Sequence, residues 1–208
     1  MHKPPHRTSW DVLVPKSDQS QIRITQDLRD LNKYVIPERQ QIPTFEEATE
    51  DMAGAKFFSQ LDIFKAFHQI MVHPDSRHLL TFSTPRGLRR LTRVPMGLTS
   101  ASETLQRIIY NVLGGLDGVK WIHDDIVVYG STLLEHNKRL QACLQRLFNN
   151  DITLNPNKCK FAVQEITFMG MEVSAAGIRP TETKVEAVKQ FTAPQNHVEV
   201  KSFLGLIN

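Results

Sequence analysis

Two short β-rich runs, VKWIH at 119–123 and IVVYG at 126–130, are separated only by Asp124-Asp125. Apolar strands on both sides leave the chain one option, a sharp reversal, so this segment reads as a hairpin with two carboxylates at its turn. Ionised carboxylates beside a core are costly unless a cation or strong donors offset them. For an isolated Asp-Asp pair the ordinary reading is a hydrated turn, since Asp is a common turn former. A second apolar run changes the weighing. KFFSQLDI at 56–63 sets Phe57, Ser59, Leu61 and Ile63 against Phe58, Gln60 and Asp62, a strand with a carboxylate near its end. A third acid on a neighbouring strand would complete a site for a hard divalent cation. Mg²⁺ takes a few carboxylates, waters and phosphate oxygens at roughly 2.0–2.1 Å. Two such ions about 3.5–4 Å apart activate an attacking hydroxyl and stabilise a departing oxygen, the arrangement that nucleotidyl transfer needs.

The rest of the chain supplies the frame. Residues 1–9 read as a flexible lead-in, and WDVLVPK (10–16) with QIRIT (21–25) as a hairpin around SDQS. Asp27–Asn32 is short and polar. Thr44 with Glu47 predicts a capping box opening a helix that Gly54 ends. HLLTFST (78–84) and LRRLTRV (88–94) flank Pro85-Arg86-Gly87, a second hairpin signal. Ser100 with Glu103 predicts another capping box, before Leu105, Ile108, Ile109, Val112 and Leu113 at helical spacing up to Gly114-Gly115. Thr132 and Glu135 open a third helix, with Leu133, Leu140, Cys143, Leu144, Leu147 and Phe148 on one face. ITFMGMEV (166–173) reads as a strand, followed by a turn at Gly177 and helical segments near 182–191 and 198–206. Hairpins mixed irregularly with helices, and no βαβ repeat, predict an α+β fold with a mainly antiparallel sheet.

Composition bounds the class. Of 208 residues 40% are hydrophobic and 23% charged, an ordinary globular balance that excludes disordered and collagen-like chains. No apolar run reaches the ~18 residues of a membrane span, and the start MHKPPHRTSW lacks a signal-peptide core, so no membrane partner is expected. Cys143 and Cys159 form no metal-type spacing, which suits a soluble intracellular protein with free thiols. Net charge is only +3. Its distribution is uneven: Lys65, Arg77, Arg86, Arg89, Arg90, Arg93 and Arg107 are offset only by Asp75 and Glu103, a plausible polyanion face. His68, His73 and His78 recur every five residues, fit no usual zinc spacing, and read as structural.

At this point the sequence resembles the reverse transcriptase of gypsy-type LTR retrotransposons. The carriers are RITQDLRDLNK (23–33), GAKFFSQLDIFKAFHQI (54–70), VPMGLTSASETLQR (94–107), IHDDIVVYG (122–130), LNPNKCKF (154–161), FMGMEVSAAGIRP (168–180) and VEVKSFLGL (198–206), in the family's order. With LVPK (13–16) they span almost the whole chain. The resemblance implies a right-hand polymerase, with fingers and palm over 10–173 and the start of a thumb or connection over 174–208. It also implies an origin in a Pol polyprotein with protease, ribonuclease H and integrase segments. The expected partners are RNA template and primer, an RNA–DNA or DNA duplex and dNTPs; the expected cofactor is a pair of Mg²⁺ ions, replaceable by Mn²⁺. The expected location is the cytoplasm or virus-like particles, with access to the nucleus.

Residue by residue, Asp62 and Asp124 look like the metal-bridging carboxylates, Asp125 like the third acid, and the Ile63 carbonyl like a further ligand. Lys16 and Arg23 match the fingertip cations on the triphosphate, where a planar Arg fork and a mobile Lys charge suit phosphate; without the family they read equally as a solvated hairpin. Phe67 matches the position under the deoxyribose that excludes a 2′-hydroxyl, its alternative being core packing beside Phe57, Phe58 and Phe64. Lys65 and Ala66 would offer backbone N–H groups to phosphates. Lys158 resembles a general acid for the leaving pyrophosphate, or else a surface lysine. Phe168-Met169-Gly170 resembles a primer grip, though a plain edge strand looks similar. Arg86, Arg89, Arg90 and Arg93 would meet template or duplex phosphates, with solvated Arg the equal alternative.

The pattern departs in places. Ile122 and His123 precede the acid pair where an aromatic residue two positions before it is usual, so ring stacking is lost while β propensity is kept. Met96 stands where Phe or Gln is usual beside the nucleotide pocket. The leading expectation is an RNA-directed DNA polymerase core. A catalytically decayed fragment that only binds nucleic acid or protein is the alternative. A nucleotide cyclase ranks last, because Gly114-Gly115 is followed by Leu116 and Asp117 rather than by paired acids.

Overall fold

The computed structural model describes residues 11–15, 22–36 and 44–207. Along the chain lie β1 (Asp11–Pro15), β2 (Ile22–Gln26), α1 (Arg29–Asn32), α2 (Phe45–Thr49), β3 (Phe57–Asp62), α3 (Ala66–Gln69), β4 (Thr81–Thr84), β5 (Gly87–Arg90) and α4 (Ala101–Leu113). Then follow β6 (Val119–Ile122), β7 (Asp125–Gly130), α5 (Leu133–Asn149), β8 (Lys160–Val163), β9 (Glu165–Phe168), β10 (Met171–Ser174), β11 (Gly177–Pro180), α6 (Glu182–Gln190) and α7 (His197–Ile207). Every strand pairing among them is antiparallel, as the sequence predicts for this α+β chain. No helix of the described residues is long and apolar enough to cross a membrane.

The central sheet runs β6-β7-β3-β8, which puts the Asp62 strand inside it. Alternation along β3 sends residues to two packed faces. On one, Leu61 and Ile63 join Ile126, Val128, Val119 and the α4 and α5 side chains Leu105, Ile109, Leu113, Cys143 and Leu147. On the other, Phe58 joins Val127, Tyr129, Ala48 and Met52, with Ile166, Phe168 and Val173 from a second sheet, β11-β10-β9. Behind the sheet the buried Ser59 hydroxyl meets His136 Nε2 at 2.9 Å and accepts from the Ala162 N–H at 3.1 Å, joining β3, α5 and β8. Gly130 lets the first turn of α5 approach β7: a Cβ there would stand 2.7 Å from the His136 backbone nitrogen.

The Thr44–Glu47 capping box forms with both of its bonds. Elsewhere local structure departs from expectation. Ser100 makes no cap: its backbone (φ −89°, ψ 5°) is not extended, and the Ala101 N–H turns back to Leu98 O instead. Thr132 caps Glu135 N, but the Glu135 carboxylate goes to the Ser131 N–H and hydroxyl. His78–Leu80 belongs to a 3₁₀ segment, Pro74–Leu80, so the following hairpin is shorter than read. Leu133 and Phe148 lie exposed in the terminal turns of α5, while Cys143 and Leu147 pack on the sheet. The 166–173 run is a hairpin, not one strand. Met169 and Gly170 take φ of +51° and +73°, and two successive positive values match the strand twist in a tight reversal. The next reversal falls before Gly177, which opens β11, and β8 is a strand the sequence reading did not assign.

Candidate active site

The acid hairpin turns one residue earlier than expected. His123 and Asp124 form the reversal, His123 at φ +54°, while Asp125 is the first residue of β7 and pairs with Ile122. This shift decides where the carboxylates go. Asp125 also lies opposite Asp62 in the register of β3 and β7, and directly opposed side chains in such a pair have Cβ atoms about 4.5–5.5 Å apart. Asp124 stays exposed on the turn, its carbonyl accepting the Ile63 N–H at 3.2 Å. The turn is also held from α4, where the buried Gln106 accepts the His123 N–H at 3.0 Å.

The Asp125 carboxyl responds to the other two acids. Burial pushes the Asp125 carboxyl above its ordinary range, and the charges of Asp124 and Asp62 push it further; Gln60 and Lys158 act against the rise. Lys158 Nζ lies 3.2 Å from Asp62 Oδ2, an ammonium against a carboxylate that is 18% exposed. The Asp62 carbonyl accepts from the Asn155 N–H at 2.8 Å, and Ile63 bridges Leu154, so the 153–155 segment is stitched to the end of β3. Among the described residues no group of three or more His, Cys, Asp or Glu side chains is gathered as a metal site. What is present is an acid pair in register, a third acid on the adjoining turn and a lysine cation already against Asp62. Hard carboxylate and carbonyl oxygens of this kind fit Mg²⁺.

The remaining predicted residues fall into three groups. Past β3 the chain bends through Lys65 in the left-handed region, φ +46°, into α3. Ala66 is buried there, Phe67 is half-buried against the Leu61–Ile63 core, and Lys65 Nζ lies 5.2 Å above the Phe64 ring. Met96 is half-buried in a loop held by Asn32, which donates to Gly97 O at 2.8 Å and accepts from the Thr99 N–H at 3.0 Å. In the second group, Phe168 is buried at the end of β9 while Met169 and Gly170 form the turn, and Gln60 donates to Thr167 O at 2.9 Å. Third come the cations. Arg86 is in the β4–β5 turn, Arg89 and Arg90 are exposed on β5, and Arg93 donates to the Gln69 carbonyl at 2.7 Å. Arg23 sits on β2 opposite Val14, and Lys16 lies outside the described residues. Asn32, Gln60 and Gln106 carried no sequence signal as anchors, because a single amide in a run reveals nothing of its distant partner.

Comparison with known proteins agrees with this architecture. The model of the family "Reverse transcriptase (RNA-dependent DNA polymerase)" matches residues 14–173. The Transposon Tf2-3 polyprotein of Schizosaccharomyces pombe is 32% identical over 95% of this chain and 15% of its own length. The Retrovirus-related Pol polyprotein from transposon 297 of Drosophila melanogaster is 32% identical over 99% of this chain and 20% of its own. The chain therefore spans about a fifth or less of these relatives. A foamy viral protease-reverse transcriptase bound to double-stranded DNA shares the fold at a TM-score of 0.81 and 23% identity, over 97% of this chain and 35% of that one. A foamy viral protease-reverse transcriptase bound to an RNA/DNA hybrid gives 0.79 and 24%, over 97% of this chain and 27% of that one. Register-paired acids on an antiparallel palm-like sheet, the family match over 14–173 and the retrotransposon relatives lead to one assignment: this chain belongs to the reverse transcriptase (RNA-dependent DNA polymerase) family.

Proposed function

We propose that the chain is the polymerase core of an LTR retrotransposon reverse transcriptase, adding dNTPs to a primer 3′-hydroxyl on an RNA or DNA template. The observation that carries this reading is the register pairing of Asp62 with Asp125 beside the exposed Asp124, in a member of this family. Asp62, Asp124, Asp125 and the Ile63 carbonyl would hold two Mg²⁺ or Mn²⁺ ions. When bound, these ions supply a more acidic primer hydroxyl and a neutralised triphosphate.

The chain's own groups do the rest. Lys16 and Arg23 clamp the triphosphate, and the Lys65–Ala66 backbone borders it. Phe67 sits under the sugar and Met96 beside it. Lys158 gives a proton to the departing pyrophosphate, a role its contact with Asp62 supports. The Phe168–Gly170 turn lies along the primer strand, and Arg86, Arg89, Arg90 and Arg93 face duplex phosphates, with Arg93 also bracing Gln69. The natural setting is a larger Pol polyprotein, whose protease, ribonuclease H and integrase segments would complete the cycle.

Primer extension on poly(rA)/oligo(dT) with Mg²⁺ or Mn²⁺ tests this reading. The wild-type chain should incorporate dTTP, and Asp124→Asn should lose about 10³-fold or more of the rate. Equal incorporation by both proteins overturns the assignment. Salt-sensitive duplex binding with no metal-dependent extension points instead to a binding module.

A further inference from the structure

Gln69 ends α3, seven residues beyond Asp62, and its carboxamide is used as a piece of main chain. Nε2 donates to Phe64 O at 2.5 Å and to Thr153 O at 2.9 Å, while Oε1 accepts from the Thr153 N–H at 2.9 Å. The two bonds to Thr153 copy the paired N–H and C=O exchange of one residue in an antiparallel ladder. Thr153 lies next to Leu154, the bridge partner of Ile63, and its carbonyl also accepts the Phe64 N–H at 2.9 Å. The side chain thus extends the ladder past the point where the main chain has left it for the left-handed bend at Lys65.

Its third bond closes the bend. By holding Phe64 O from the far end of α3, Gln69 fixes the loop that contains Lys65, Ala66 and Phe67. The main chain of Gln69 is anchored in turn, since its carbonyl accepts from Arg93 at 2.7 Å. A half-buried glutamine that meets two carbonyls and one N–H with matching polarity is specified by shape and by charge.

We propose that Gln69 is a positioning residue for the incoming nucleotide: it sets the height of the Phe67 ring and of the Lys65–Ala66 backbone relative to the acid pair. The assignment rests on the polymerase reading above. Gln69→Glu keeps the side chain's size but turns its donor into an acceptor facing two carbonyls, and Gln69→Leu removes all three bonds.

Steady-state extension by the full chain on poly(rA)/oligo(dT), with dTTP and UTP in parallel, reads the effect. Both variants should raise KM for dTTP tenfold or more and narrow dTTP/UTP discrimination, with kcat reduced less than threefold. In Gln69→Leu the Thr153 amide should also exchange its hydrogen faster while the amides of β7 do not change. Unaltered KM and discrimination in folded variants overturn the proposal, as does a loss confined to kcat or a general acceleration of exchange. A wild-type chain that incorporates neither nucleotide overturns the polymerase reading, and this proposal with it.

Discussion

Asp62 and Asp125 face each other in register across two inner strands of the central sheet, on the same face as Gln60 and Val127. Like charges directly opposed on neighbouring strands destabilise a sheet. The metal-free chain therefore bears an unfavourable pairing of charge. Asp125→Asn should raise the melting temperature of the metal-free protein while abolishing extension, a stability–activity trade-off readable by calorimetry beside the primer assay. A lower melting temperature would contradict it.

The same carboxyl sets a pH dependence. Its folded pKa is raised above 3.8, first by burial and then by Asp124 and Asp62. Between the ordinary value and the raised one the native state binds more protons than the unfolded chain. Asp125 therefore makes stability fall as pH climbs through that window, with no further change from this group above it. Denaturant titrations of the metal-free wild type against Asp125→Asn should show this contribution only in the wild type.

Phe67 is half-buried, packed against the Leu61–Ile63 core with part of its surface in solvent. Phe67→Val should keep the fold and raise rNTP incorporation relative to dNTP by about tenfold or more, because a steric gate acts by excluding the 2′-hydroxyl. Parallel dTTP and UTP kinetics measure it, and an unchanged ratio removes the sugar-gate role.

The Ser59–His136 contact is buried at 0% exposure on both sides. Ser59→Ala strands the Ala162 N–H and His136 Nε2 together, leaving His136 Nδ1 on Asn137, and should cost about 1–3 kcal/mol in urea unfolding. His136→Ala adds a cavity and should cost about 3 kcal/mol or more. The two substitutions share one contact, so their effects should fall short of additivity in a double-mutant cycle.

Cys143 is fully buried and its thiol is pushed up to about 12 by desolvation, whereas Cys159 is half-exposed. Brief treatment of the native chain with iodoacetamide near pH 8 should alkylate Cys159 and spare Cys143. Peptide mass spectrometry reads both sites, and labelling of Cys143 in the folded state would contradict the packing of α5.

Much of this fold is visible in the chain before folding, for reasons specific to each element. Alternation in KFFSQLDI marks β3, and the Thr44–Glu47 box marks α2, because both signals act within a few residues. The acids' strand context was legible, yet the turn lay one residue off: Asp is the better turn former by composition, but the backbone ladders of β7 with β3 and β6 run on to Asp125, despite the charge of Asp62, and leave His123 in the left-handed region. The Ser100 box failed because cap chemistry needs an extended backbone that this loop does not adopt. The hairpin within ITFMGMEV was hidden, since neither of its turn neighbours is the Asn-Gly or Asp-Gly type that usually announces one. The amide anchors Asn32, Gln69 and Gln106 were invisible because their partners lie far along the chain.

The placement of β3 has a mechanical consequence. Laced to a neighbour along each edge and pressed between two hydrophobic clusters, it behaves as an anvil under the Asp62 carboxylate. Less confined pieces stand around it: the left-handed bend at Lys65, the exposed Lys158 against Asp62 and the reversal at Met169. A substitution at any of those three should cost the fold less than one on β3.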